Sequence, residues 1–125
     1  MTSKVSFRLK HPTLDLSAIA QSVGLPIARI WTAGERRITP KGDPLDGVHP
    51  GSYCAFRVES SEGTIPAAIK IVDTALHVAV HSHRNLQGQE LEKSLYCTIM
   101  GEGEFLDLES LRQLINWGIE LGIDA

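Results

Sequence analysis

Asp73, His77 and His81 are the residues of this 125-residue chain whose types and spacing come nearest to chemistry. At successive steps of four they would share one side of a helix and offer three potential metal ligands. Lys70 on the same side opposes a cation, and two histidines on one helix hold a metal only when a third ligand arrives with suitable geometry. The plainer reading is a solvated helix face. His83 falls on the apolar side of the same helix, near its end, where packing or capping is its natural use. His11 and His49 each precede a proline in a turn-like setting and have no partner visible in the sequence. The chain contains no G-x-S-x-G, Walker loop or H-E-x-x-H, and Gly101-Glu102-Gly103 is too short to cradle a phosphate. No nucleophile constellation can be assembled, so neither a catalytic residue nor a cofactor is assigned.

What is left is a surface. In the β-like runs, Val5, Phe7, Leu9, Cys54, Phe56, Val58, Cys97, Ile99, Leu121 and Ile123 alternate with polar neighbours. If the apolar set faces helices, Arg8, Lys10, Arg57, Tyr96, Thr98, Met100 and Glu120 line an open sheet face. Arg, Tyr and Met are enriched where proteins meet. The run Ile27 to Thr32 is ambiguous: Arg29 and Trp31 share one side with Ile27, so Trp31 joins either this face or the core, and its size favours the core. The segment Arg29 to Arg37, with its tryptophan, glycine and flanking charges, has no explanation in folding alone. Arg29, Trp31, Arg36, Arg57, Tyr96 and Met100 are therefore the candidate partner-binding residues.

The bulk properties bound the function class. A hydrophobic share of 42% and a charged share of 22% are those of an ordinary globular chain. No apolar run approaches the roughly 20 residues that span a bilayer, so no membrane association is expected. The N-terminal MTSKVSFRLKH carries charges where a signal peptide needs its apolar core, which points to a cytoplasmic protein. A net charge of −3 and a pI near 5.9 argue against a nucleic-acid surface, although short basic clusters occur at Lys4, Arg8 and Lys10 and at Arg36, Arg37 and Lys41. Cys54 and Cys97 lie inside apolar runs, where a reduced thiol acts as a small hydrophobe. Buried structural thiols are the expectation, with a disulfide or a reactive site as the alternative.

Several elements must position these groups. Lys4 to Lys10 alternates strictly and reads as a strand with one wet face, which excludes a doubly wound sheet buried on both sides. Asp15 is placed to cap a helix, with Leu14 and Ile19 as a hydrophobic staple and Gly24 and Pro26 as the stop. Ile27 to Thr32 is a strand. Glu35 to Ser52 is a loop or open hairpin, and Tyr53 to Glu59 a further strand. Thr64 and Pro66 start the longest helix, whose stripe is Ile65, Ile69, Val72, Leu76, Ala79 and His83. A strand follows over Leu95 to Met100. The opening device then recurs: Asp107 as cap, Leu106 and Leu111 as staple, Leu108, Leu111 and Ile115 as the buried stripe, and Gly118 as the stop. The recurrence of L-D-L is either a duplication or a second use of one capping chemistry. A last strand covers Ile119 to Ile123. The order predicts one α+β domain over residues 1–125, with a mixed or antiparallel sheet of about five strands and helices on one face. Its core is ferredoxin-like, βαββαβ, followed by an added αβ unit.

Over nearly its whole length the chain resembles the bacterial family catalogued as domain of unknown function 4279. The matching features are a first strand running into Leu14-Asp15-Leu16, a helix ending Val23-Gly24-Leu25-Pro26, the segment Ile30-Trp31-Thr32-Ala33-Gly34-Glu35, a long middle helix, and a closing helix followed by Ile119-Glu120-Leu121-Gly122-Ile123-Asp124. The match rests on their order and spacing. The middle strand has Cys54 and Phe56 where the family tends to have a tryptophan. The resemblance implies the fold and brings no activity, substrate or catalytic residues. The expectation is then a non-enzymatic domain acting by protein contact, through self-association or an antidote-like partner. The alternative is a small-molecule or metal-binding domain, or an enzyme, using a pocket between the Arg36 to Pro50 loop and the histidine-bearing helix.

Overall fold

The computed structural model describes residues 3–99 and 105–124. In chain order its elements are β1 (Lys4–His11), α1 (Ser17–Val23), β2 (Ile27–Trp31), β3 (Arg36–Ile38), β4 (Pro44–Val48), β5 (Ser52–Val58), α2 (Ile65–Ala79), β6 (Glu92–Thr98), α3 (Leu108–Trp117) and β7 (Ile119–Asp124). Five strands form one sheet in the order β2-β5-β1-β6-β7, and β3 with β4 forms a separate hairpin. The pairs β2–β5, β5–β1 and β1–β6 are antiparallel, while β7 runs parallel to β6. This is an α+β fold: a ferredoxin-like core with β1 and β5 central, extended at the β6 edge by α3 and β7.

Register explains the two faces. Phe7 pairs with Phe56 on one side and Leu95 on the other, and Leu9 pairs with Cys54, so period-two alternation points all these apolar side chains toward the helices. Phe7 and Phe56 stack at 5.8 Å in the middle of the core. Ile65, Ile69, Val72 and Leu76 of α2 cover them, as the three-and-four spacing predicts. Thr64 Oγ1 accepts a hydrogen bond from the Ala67 amide at 3.3 Å and caps that helix. Cys54 and Cys97 are buried thiols that form no disulfide with each other. Each lies beside β1, opposite Leu9 and Val5.

Three expectations need correction. Asp15 does not cap α1: the cap position is Leu16, without a side-chain bond, and Asp15 Oδ1 instead accepts from the Ser17 amide at 2.9 Å. Asp107 is a true cap, accepting from the Ser110 amide at 2.8 Å, so the two L-D-L segments use the aspartate differently. The stripe assigned to α3 is out of phase. Leu108 and Ile115 are 74% and 77% exposed, whereas Ser110, Leu114 and Trp117 are buried. Finally, α2 stops at Ala79 with Val80 as its cap residue, which leaves His81 and His83 outside it.

The phase of α3 has a visible cause. Trp117 Nε1 donates to Asp73 Oδ1 on α2 at 2.8 Å, and Gln113 Nε2 reaches Oδ2 at 3.4 Å. Burying an indole removes more apolar surface than burying a leucine, and its N–H finds an acceptor there. That choice rotates Leu108, Leu111 and Ile115 outward.

Candidate functional site: the open face of the sheet

The face turned away from the helices is built from the residues between the core positions. On β1 these are Lys4, Ser6, Arg8 and Lys10; on β5, Tyr53, Ala55 and Arg57. Register places Ser94, Tyr96 and Thr98 beside them on β6, and Glu120, Gly122 and Asp124 on β7. An irregularity in β2 between Ile27 and Arg29 puts Arg29 opposite Ala55 and Trp31 opposite Tyr53. A bulge of this kind adds one residue and flips the pattern that follows. Ile27 and Ile30 thus stay on the helix side, while Arg29 and Trp31 turn to the open face.

Trp31 is therefore not a core residue. It is half-buried on the open face, with its ring between two others: His49 at 4.3 Å and 13°, and Tyr53 at 4.6 Å and 26°. Offset stacks of this geometry stabilise a ring without enclosing it. The surrounding backbone is fixed. Ser52, itself buried, accepts from the Ala33 amide through Oγ at 2.9 Å, Gly34 donates to the His49 carbonyl at 2.9 Å, and His49 donates to the Glu35 carbonyl at 2.9 Å. Gly34 sits at φ +87°, a conformation that suits glycine. Beyond this pinned base, β3 and β4 form an arm whose residues are exposed throughout, including Ile38 and Val48.

At the centre of the same face the Arg8 guanidinium lies 4.7 Å from the centroid of the Tyr96 ring, within cation–π range. Gly122 makes room for that ring, since a Cβ there would come 3.0 Å from Tyr96 Cδ2. Charge is divided across the face. The basic groups Lys4, Arg8, Lys10, Arg29 and Arg57 lie on β1, β2 and β5; Glu92, Glu120 and Asp124 lie on β6 and β7.

Of the sequence candidates, Arg29, Trp31, Arg57 and Tyr96 are brought to this one face. Arg36 lies in β3, exposed in the arm, and Met100 lies outside the described residues. His49 and Ser52 were not legible as site residues, because their partners lie across the arm; a histidine and a serine at the two ends of a His-Pro-Gly-Ser turn were the only hint. His11 also has partners: its Nδ1 accepts from the amides of Thr13 and Leu14 at 3.1 and 2.9 Å, and Nε2 faces Glu90 at 3.5 Å.

The candidate metal ligands do not converge. Asp73 is engaged by Trp117, by Gln113 and, at 3.3 Å, by His77, and His81 lies beyond the end of α2. Among the described residues no three His, Cys, Asp or Glu side chains are placed to hold a metal ion. Among the described residues the groove that runs along the histidine-bearing helix has no wall from the arm. The groove along α2, of about 830 Å3, is walled by α1, the 59–62 turn and α3 instead. Among the described residues no helix is long and apolar enough to cross a membrane.

Comparison of the chain with protein-family models, with curated proteins and with solved structures returned no match.

Proposed function

We propose that this chain is a non-enzymatic domain that works by protein contact, through the basic and aromatic half of its open sheet face. The observation that carries the reading is Trp31, stacked between His49 and Tyr53 and left half-exposed on the face that also presents Arg29 and Arg57. Rigid aromatics and arginines are the residues that carry most binding energy at protein interfaces. The partner is a protein with an acidic surface, as an antidote domain would meet; the chain's own net charge of −3 disfavours a nucleic acid. The buried thiols Cys54 and Cys97, not joined in a disulfide, support a reducing, cytoplasmic setting. Membership of the bacterial family catalogued as domain of unknown function 4279 is proposed on the order and spacing of the quoted motifs. That family brings a fold and no activity, so the functional reading rests on geometry.

A second reading has its own support. Because one half of the face is basic and the other acidic, two copies related by a two-fold axis would set each half against its opposite. Light scattering after size exclusion distinguishes the readings: self-association doubles the 13.7 kDa mass, and Arg57→Glu returns it to the monomer. Under the leading reading the chain is monomeric, and a protein co-purifying with it is lost in both Trp31→Ala and Arg57→Glu but retained in Lys70→Glu on the helix side. A monomer whose co-purifying proteins are indifferent to both open-face substitutions would overturn the proposal.

A further inference from the structure

Lys93 is the buried charge that the protein-contact reading does not use. It alternates with Glu92 and Ser94 in β6 and points to the helix side, opposite Leu9 and Ile119, with only 5% of its surface exposed. An ammonium carries three donors. Among the described residues the one side-chain hydrogen bond of Lys93 is a long one, from Nζ to the Leu91 carbonyl at 3.5 Å, and no carboxylate there lies within ion-pair distance. Burial of a lysine so poorly satisfied works against folding.

Lys93 and Leu91 both line a cavity of about 450 Å3, where β6 and β7 begin and α3 ends. That volume suits a small molecule. Its other walls include Gln87, Gln89, Asn116 and Trp117. A deep cation with side-chain amides around it is an arrangement that recognises a carboxylate: the charge meets the ammonium, and the amides donate to its remaining lone pairs. Glu92 and Glu120 are also in the wall, with Lys10 as a second cation, and the two carboxylates oppose an anion carrying more than one charge.

We propose that this cavity is a binding site for a small monocarboxylate, held by a charge-assisted hydrogen bond from Lys93 and oriented by Gln87, Gln89 and Asn116. It does not rest on the open-face proposal: Lys93, Gln87, Gln89 and Asn116 take no part in that face, although Lys10, Glu92, Ser94 and Glu120 border both. The downward displacement of the Lys93 pKa by burial is reversed by a bound anion, so binding weakens as the lysine deprotonates.

Trp117 in the wall supplies the readout. In a Trp31→Phe background it is the sole tryptophan, and its fluorescence can be followed during titration with acetate, glycolate, a tripeptide with a free C-terminus, and inorganic phosphate at constant ionic strength. The expected result is a saturable change with one or more carboxylates, weakened about tenfold or more in Lys93→Met, as loss of a charged hydrogen bond implies. Asn116→Leu leaves the lysine in place at an exposed wall position and weakens binding severalfold, which covers the case that Lys93→Met does not fold. Response to the tripeptide but not to acetate or glycolate assigns the site to a chain terminus. No saturable change with any carboxylate, an equal response in both variants, or tighter binding of phosphate would each overturn the proposal.

Discussion

Lys93 and Cys54 show how the core treats titratable side chains. Burial pushes the Cys54 thiol up to about 11, so at neutral pH it is a protonated, apolar group, suited to its place against Leu9. The same desolvation holds Lys93 below its ordinary value of 10.5. The folded state therefore releases its proton before the unfolded state does, and stability rises as pH climbs from the folded value toward 10.5. Lys93→Met is accordingly expected to melt above the parent protein at pH 7, with the gap closing in alkaline buffer. A variant that melts lower at pH 7 would mean the ammonium has a native partner. Cys54 was legible from its apolar run, but Lys93 was not, because the polar stretch Gln87 to Ser94 reads as a connector and the strand begins at Glu92.

At the scale of elements, α3 separates two kinds of information. Its limits were readable: Asp107 as cap and Gly118 as stop are local chemistry, and both are observed. Its orientation was not, because Leu108, Leu111, Leu114, Ile115 and Trp117 cover about half of the helix circumference at roughly 100° per residue, and two apolar arcs compete. The Asp73–Trp117 hydrogen bond selects the arc of Leu114. Substituting Leu114 by Ala should then cost about 2–4 kcal/mol, as for other buried leucines, whereas Leu108→Ser and Ile115→Ser should each change stability by less than about 0.5 kcal/mol. Urea titration of the three variants checks the phase; equal losses at Leu108 and Leu114 would contradict it. The contrast with α2 is instructive, since there a single stripe from Ile65 to Ala79 left no choice, and sequence and structure agree.

For the whole molecule, the relevant division is between a sheet that carries the fold and an arm that does not. Every residue of β3 and β4 is exposed, while the base of the arm is pinned by the Gly34–His49 and Glu35–His49 backbone bonds. Replacing residues 36–48 by a short glycine-containing turn closes a smaller loop and removes no core, so the melting temperature should stay within a few degrees of the parent. Loss of cooperative unfolding would show instead that the arm supports β2. The same deletion leaves the Trp31 stack and the charge division of the open face in place, which separates the arm's contribution to partner binding from that of the sheet.

Strand alternation in Lys4 to Lys10 and Tyr53 to Glu59, the proline-led start of α2 and the glycine stops were local properties, so the α+β class and the ferredoxin-like order followed from the sequence alone. Which arc of α3 is buried, where Trp31 points, and that Lys93 lines a cavity depend on groups distant in the chain. Asp73 meets Trp117, the irregularity in β2 reverses its alternation against β5, and the start of β6 and the end of α3 line one cavity. Each of these is settled by competition for a single packed core, in which burial of the larger apolar surface and satisfaction of its polar atoms outweigh local preference.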